Sequence, residues 1–151
     1  MELQMTLEAD YAVRIVYELA SSGGRIDASA LAEASGVTMR FSLKILRKLV
    51  AAGLILSYKG AAGGYELAKS AFPENGVKKP REISLCDIVE AIEGPIHIAR
   101  CVKGDYQCTR EKEGTCTFQC VFEKLSQDLR QQLTGYTMDQ FISEKEKGAK
   151  K

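Results

Sequence analysis

The chain has 151 residues, of which 45% are hydrophobic, and a formal net charge of +1. This length allows one compact core with an appendage, and a net charge this small says little about the kind of partner. No stretch approaches the about 20 consecutive apolar residues that span a bilayer. The N-terminus carries acidic residues and lacks the basic-then-apolar order of a secretory signal. We therefore expect a cytoplasmic protein without membrane contact, whose cysteines serve metal or redox chemistry rather than disulfides.

Three helices are predicted in the N-terminal half. Apolar positions at helical spacing predict the first over residues 6–21, and a Ser-Ser-Gly-Gly run ends it. A second, short helix is predicted over residues 28–34. Thr38 lies at the N-cap of a third helix that runs to Gly53. The break at residues 35–37 between the second and third helices is typical of a helix-turn-helix.

Two short strands are predicted directly after the third helix. They have the sequences LILSY and YELA, and the glycine-rich turn KGAAGG joins them. A two-stranded hairpin directly after a helix-turn-helix forms a wing. The expected fold is therefore mainly α with a small β wing, and residues 1–68 are predicted to be a winged helix-turn-helix DNA-binding domain.

The charge is unevenly distributed along this domain. From Ala34 to Tyr65 there are five basic residues and no acidic residue, the pattern expected where phosphates approach. The third helix is expected to enter the major groove with its first turn, where arginine binds guanine and phenylalanine contacts a thymine methyl. An ordinary solvated basic face, and a core role for the aromatic residue, are the alternatives. The predicted DNA-contacting residues are Thr38, Met39, Arg40, Phe41, Lys44, Arg47 and Lys59.

The second half of the chain divides into four predicted segments. Residues 69–83 are polar and hold two of the three prolines, which predicts a linker loop. Ser84 is expected to begin another helix. Residues 84–141 are predicted to hold a cysteine loop and a dimerisation helix, and the charged residues 142–151 a disordered tail.

A long helix is predicted from Thr117 to about Phe141. Its apolar residues recur at spacings of four and three, which gives a narrow stripe on a helix too long for one small domain to cover. A helix with an uncovered apolar stripe usually packs against a partner. We therefore expect a homodimer joined along this helix.

Four of the five cysteines lie within twenty residues, in a loop without an apolar stripe of its own. Such a loop needs something other than a core to order it, and a thiolate-binding metal centre is the natural candidate, an iron–sulfur cluster first and zinc second. The C-x2-C pairs usual for zinc are absent. A thiol switch without a metal stays open, because Lys103 and Arg110 lie nearby. The clustered cysteines are Cys101, Cys108, Cys116 and Cys120.

The remaining reactive residues indicate no enzyme. Cys86 lies between apolar residues of a predicted helix and is expected in the core. His97 is the single histidine, and a structural or exposed position is favoured over a ligand role. The sequence contains no G-x-S-x-G motif, P-loop or paired-carboxylate site.

Several of these segments together resemble the IscR/NsrR/RirA family of dimeric winged-helix transcriptional regulators. The resemblance covers about residues 3–141 and is carried by DYAVRIVYELA, ALAEASGV, KILRKLVAAGLI, KGAAGGYELA, ISLCDIVEAIEG, the spaced cysteines after ARC, and LTG. It implies a homodimer on a pseudo-palindromic operator, most often a repressor. Many family members sense through an iron–sulfur cluster, so a 2Fe–2S or 4Fe–4S cluster is implied here.

The resemblance also implies a ligand set. In the IscR branch the fourth ligand is a histidine where this chain has Gln119, with Cys120 next to it. In the nitric-oxide-sensing branch it is an acidic residue on the first helix of the partner subunit, at the position of Asp10. Cys120 and Asp10 both stay open, with Glu8 as a weaker alternative. The three implied cysteine ligands are Cys101, Cys108 and Cys116.

A second functional hypothesis dispenses with the cluster. A winged-helix regulator of this kind can respond through thiol oxidation, zinc or a protein partner. An electron-transfer protein is disfavoured by the wing and the basic stretch. Neither the signal, the cluster type nor the operator follows from the residues, since the third helix reads RFSLKIL where the family usually has a tyrosine-leucine-glutamate run.

Overall fold

The computed structural model describes residues 4–68 and 82–148. Within them the chain is mostly helical, with one two-stranded antiparallel sheet, which confirms the predicted winged-helix fold. The elements are α1 (Leu7–Ser22), α2 (Ala28–Ser35), α3 (Met39–Ala51), β1 (Ile55–Tyr58), β2 (Gly64–Leu67), α4 (Leu85–Glu93), α5 (Thr117–Thr134) and α6 (Met138–Gly148).

Capping residues explain why the first three helices begin where they do. The Thr6 hydroxyl accepts a hydrogen bond from the third residue of α1, Asp27 accepts two at the start of α2, and the Thr38 hydroxyl accepts one at the start of α3. Gly23 and Gly36 follow α1 and α2 in the left-handed conformation that glycine adopts without strain. These local signals fix the helix-turn-helix.

The wing depends on two adjacent glycines. A Cβ on Gly63 would lie 2.5 Å from the Tyr58 carbonyl oxygen, and a Cβ on Gly64, whose φ is +130°, would lie 2.5 Å from the Ile26 carbonyl oxygen. This close approach lets Ile26 and Tyr65 exchange both backbone hydrogen bonds, at 2.9 and 2.7 Å. The wing is thereby joined to the segment between α1 and α2.

Helix α1 lies at the centre of one continuous core. It packs against α2, α3, α4 and α6, and its Ile15 and Leu19 are buried beside Ile45 and Leu49 of α3. Cys86 of α4 is buried, as predicted. The core therefore supports α3 from behind and leaves the opposite face of that helix at the surface.

The prediction of one long C-terminal helix is wrong. Helix α5 ends at Thr134, and a second helix, α6, begins at Met138. The Tyr136 carbonyl accepts a hydrogen bond from the Leu85 N–H, and the Met138 N–H donates to the Ile83 carbonyl. These contacts with a distant segment hold residues 135–137 out of a helix.

The predicted disordered tail is also corrected in part. Residues 142–148 belong to α6, because Met138 and Ile142 are buried against the core and hold this charged helix in place. Residues 149–151 of that tail lie outside the described residues, as do residues 69–81 of the predicted linker.

Candidate DNA-binding surface and cysteine pocket

Helix α3 carries the candidate DNA-binding surface. Ile45, Leu46 and Leu49 face the core, and a concavity of about 560 Å³ lies on the outer face of the helix. Among the described residues, none that lines this concavity is acidic. Met39 is exposed in the same first turn, and Lys59 is exposed in the wing turn. The structure thus brings together five of the seven predicted residues, Thr38, Arg40, Phe41, Lys44 and Arg47.

Phe41 has a second environment besides the concavity. Its ring packs edge-on against Tyr11 of α1, with ring centroids 5.5 Å apart and an interplanar angle of 89°. Phe41 is half-buried and belongs to the margin of the core. Its contact with DNA therefore stays a prediction beside this observed packing role.

Glu8 links α1 to two lysines of α3. Its carboxylate lies 2.9 Å from the Lys48 ammonium and 3.4 Å from the Lys44 ammonium. The Lys48 ammonium, and then Lys44, lower the pKa of Glu8 against the opposing effect of burial. Because two ammonium groups hold this carboxylate within its own subunit and its side chain is only 18% exposed, the structure disfavours Glu8 as a cluster ligand.

Arg25 anchors the wing, and sequence reasoning missed it. Its guanidinium carbon lies 3.5 Å from the centroid of the Tyr58 ring, and its Nη1 donates to the Ala62 carbonyl at 2.9 Å. The Tyr58 hydroxyl donates to Glu66 at 2.6 Å, which raises the pKa of Tyr58. A single arginine in a polar turn gives no periodic signal, so only the tertiary structure identifies this role.

Three cysteines converge on one pocket of about 230 Å³. Cys101, Cys108 and Cys116 line it together with Gln119, whereas Cys120 is exposed on α5 and does not line it. Within residues 4–68 and 82–148, no three His, Cys, Asp or Glu side chains are positioned to hold a metal ion as they stand. The fold therefore gathers the sulfurs in one region without setting them in ligating geometry.

This cysteine loop is ordered by hydrogen bonds and not by an apolar core of its own. The Gln119 side chain donates to the Cys101 carbonyl at 2.9 Å and accepts from the Gly114 N–H at 3.0 Å. The Glu113 carboxylate accepts from the Cys108 N–H at 2.7 Å. Gln119 thus bridges the beginning and end of the loop from the position where the resembled branch has a histidine.

Cys116 is the cysteine with the clearest electrostatic environment. It is the residue before α5, where the N–H group of Gln119 and then that of Phe118 lower the pKa of its thiol, and the charges of Arg110 and Lys112 add to this effect. Three thiols around one pocket, one of them with a lowered pKa, are the donor set that a soft metal centre requires. The residues therefore fit a thiolate-ligated centre.

Asp10 lies apart from this pocket within one chain. It is half-buried in the first turn of α1, and its carboxylate pairs with Arg14 at 2.6 Å. It does not line the cysteine pocket of its own subunit. The cysteine pocket of a single chain therefore does not include Asp10.

Helix α5 leaves most of its apolar residues in solvent. Ser126 is the one residue of this helix, all of which the structure describes, that is buried. Phe118 is 63% exposed, and Val121, Leu125 and Leu129 are exposed on the same helix. These four residues are called the α5 stripe below. The opposite side of α5 is held on α4 by a two-pronged contact in which Arg130 donates to Glu90 at 2.6 and 3.1 Å.

A scan against protein-family models matches residues 5–144 to Rrf2, described as iron-dependent transcriptional regulator. The chain belongs to the Rrf2 family. This Rrf2 chain is 35% identical over 100 residues to a Mycobacterium tuberculosis protein described as an HTH-type transcriptional regulator, an alignment that covers 65% of the chain and 56% of that relative. It is 25% identical over 146 residues to IscR of Pectobacterium carotovorum, which covers 95% of the chain and 82% of that relative.

Solved structures share the Rrf2 fold. IscR of T. potens has a TM-score of 0.68 at 25% identity and covers 98% of this chain and 92% of its own. CymR of B. subtilis, described as the global cysteine regulator, has a TM-score of 0.66 at 23% identity, and the match covers 94% of this chain and 98% of CymR. The named relatives are transcriptional regulators and not enzymes, as predicted. Among the described residues of this Rrf2 chain, every helix is too short or too polar to traverse a bilayer.

Proposed function

We propose that this Rrf2-family chain is a homodimeric DNA-binding transcriptional regulator, acting as a repressor, whose affinity for a pseudo-palindromic operator is set by an iron–sulfur cluster in the cysteine loop. The observation that carries the proposal is the convergence of Cys101, Cys108 and Cys116 on one pocket outside the core. The same chain presents a basic face on α3, the second helix of its winged helix-turn-helix. Sensor and DNA reader are thereby joined in one polypeptide.

The surface of α3 supports the DNA-binding part. Arg40 and Arg47 are exposed in the concavity and can donate to guanine and to phosphate, respectively. In a two-fold dimer the two α3 helices read half-sites about one helical turn apart. Lys59 in the wing turn is proposed to contact the minor groove or its phosphates.

The α5 stripe supports the homodimer. Contiguous exposed apolar residues on one helix face are uncommon on a monomer and usually mark an interface. A two-fold axis along α5 would bury the stripe of each subunit against the same stripe of the other. It would also bring the cysteine loop, which leads directly into α5, close to the second subunit.

The proposed ligands are the three cysteines of the pocket, Cys101, Cys108 and Cys116. A bound cluster would supply a redox-active and removable centre that orders the loop. Cys120 and Asp10 remain the candidates for the fourth ligand. The exposed position of Cys120 outside the pocket favours Asp10 of the second subunit, and that arrangement would join the centre to the DNA-binding half through α1.

The energetic requirement on this switch is modest. A 5- to 150-fold change in DNA affinity needs only about 1–3 kcal/mol of coupling between the two sites. Ordering a loop that has no apolar core and is held by a few side-chain hydrogen bonds can supply a free energy of that size. The proposal therefore requires no large rearrangement of the core.

A second candidate function is favoured by the chemistry of Cys116. Its lowered pKa raises the thiolate fraction near neutral pH, and thiolates are the form that oxidants attack. Cys120 is exposed one helical turn away on α5. A regulator that responds by thiol oxidation, without a cluster, would use these two residues.

Anaerobic purification followed by visible absorbance, iron and sulfide analysis separates the two candidates. We expect colour with matching iron and sulfide in the native protein, and loss of both in Cys108→Ala. Cys120→Ala is the matched control, and it retains colour if Asp10 supplies the fourth ligand. Colour that survives Cys108→Ala would refute the ligand assignment. A colourless native protein that still binds DNA in an oxidant-dependent manner would favour the thiol switch.

A further inference from the structure

Three helices meet beside the DNA-binding surface, at the beginning of α1. The Thr6 N–H and hydroxyl both donate to the Glu93 carboxylate, at 3.2 and 2.7 Å, which fixes this end of α1 on the end of α4. Lys48 of α3 donates to the Ile92 carbonyl at 3.3 Å. Glu8 lies between these contacts and binds α3. The position of its carboxylate is therefore set by the fold and not by a flexible surface side chain.

The two lysines that Glu8 contacts have different surroundings. Lys48 has a second partner, the Ile92 carbonyl, and does not line the concavity. Lys44 lines the concavity, and its side chain is 58% exposed, whereas that of Glu8 is 18% exposed. Glu8 therefore supports α3 through Lys48 and, at the same time, holds the ammonium of Lys44 from behind.

We infer that Glu8 limits the affinity of this protein for DNA by occupying the Lys44 ammonium that a phosphate would otherwise bind. The inference rests on the proposed DNA-binding function and deepens it. The Glu8 carboxylate, which is shared between two lysines, offsets part of the charge of the Lys44 ammonium 3.4 Å away, so Lys44 contributes less than one full phosphate contact. Arg47 lines the same concavity, has no acidic partner within residues 4–68 and 82–148, and is expected to supply a full contact.

The expected effect follows from counterion release. One additional phosphate contact steepens the dependence of log affinity on log salt by about 0.9. For Glu8→Gln, which releases part of one such contact, this sets an upper limit of about eightfold tighter binding at 0.1 M salt, and the gain vanishes as the salt approaches 1 M. The amide oxygen of glutamine can still accept a hydrogen bond from Lys48, so the support of α3 is retained.

The test is a titration of a fluorescent mixed-sequence duplex of about 30 base pairs, followed by anisotropy at several salt concentrations. We expect tighter binding and a steeper salt slope in Glu8→Gln, and neither change when Lys44→Gln is also present. Glu144→Gln on α6 makes the same change in net charge outside the concavity and should leave the slope unaltered. A gain that survives Lys44→Gln, or appears equally in Glu144→Gln, would overturn the inference.

Native-background variants provide a second measurement if Glu8→Gln does not fold. Arg47→Gln should reduce the salt slope by about 0.9, whereas Lys44→Gln should reduce it by clearly less. Equal reductions in both would show that Glu8 does not hold Lys44 back. Failure of the native protein to bind any duplex would instead refute the proposed function, so the two failures are distinguishable.

Discussion

Replacing Arg25 by alanine should loosen the wing. The substitution removes the stacking of the guanidinium on Tyr58, worth about 0.5–1 kcal/mol at an exposed site. It also removes the charged hydrogen bond to the Ala62 carbonyl. Because this bond is exposed to solvent, its contribution to stability is about 1–1.5 kcal/mol, the lower part of the range for charged hydrogen bonds. The 3.8 Å pair with Glu66 adds little, since exposed ion pairs contribute a few tenths of a kcal/mol. We expect a loss of about 1.5–2.5 kcal/mol in the free energy of unfolding.

Thermal unfolding followed by circular dichroism measures this loss as a decrease in Tm of about 3–10 °C. Arg47→Ala is the matched control for Tm, because Arg47 is exposed on α3 and, among the described residues, forms no ion pair or ring contact, so its loss should change Tm by about 1 °C or less. If the wing also positions Lys59, the salt slope of DNA binding in Arg25→Ala should decrease by about 0.9. An unchanged Tm in Arg25→Ala would refute the assignment of Arg25 as the anchor of the wing.

Four further outcomes are expected. Arg40→Ala should weaken binding to the operator by about 1–3 kcal/mol in a gel-shift titration, and unchanged affinity would remove Arg40 from base readout. Leu125→Glu should shift the protein from dimer to monomer in sedimentation, and a persisting dimer would exclude the α5 stripe as interface. In cluster-free protein, the alkylation rate of Cys116 should fall off at a lower pH than that of a free thiol, because the lowered pKa of Cys116 preserves its thiolate as the pH falls. The same pH dependence as that of a free thiol would contradict this. Gly63→Ala should lower the free energy of unfolding by about 1–3 kcal/mol. Gly104→Ala is its control and should cost almost nothing, because a Cβ there meets no atom within 4 Å. Equal costs would refute the close approach in the wing.

The winged helix was predictable because its signals are local. Asp27 and Thr38 cap helices within their own neighbourhood, and adjacent glycines mark the wing turn. The division between α5 and α6 was not predictable, since backbone contacts with residues 83–85 impose it from about fifty residues away. Local helical periodicity cannot report such a contact.

The candidate site was predictable to a similar degree. Cysteine spacing identified three sulfurs that the fold collects around one pocket. Spacing also suggested Cys120, one turn beyond Cys116, but the loop closes over Gln119 and leaves Cys120 in solvent. The contacts of Glu8 with α3 were missed because they join residues more than thirty positions apart, which no local pattern reports.

The turn between α5 and α6 gives the proposed dimer a mechanical property. Only three residues separate the helix that would carry the two-fold axis from Met138, which is buried against α1. In a dimer joined along α5, a rotation between the subunits would therefore move α1 together with α5. Helix α3, which packs against α1, would move with them. The distance between the two α3 helices would then depend on the angle between the subunits. The half-site spacing that the dimer prefers would therefore change with the state of the cysteine loop.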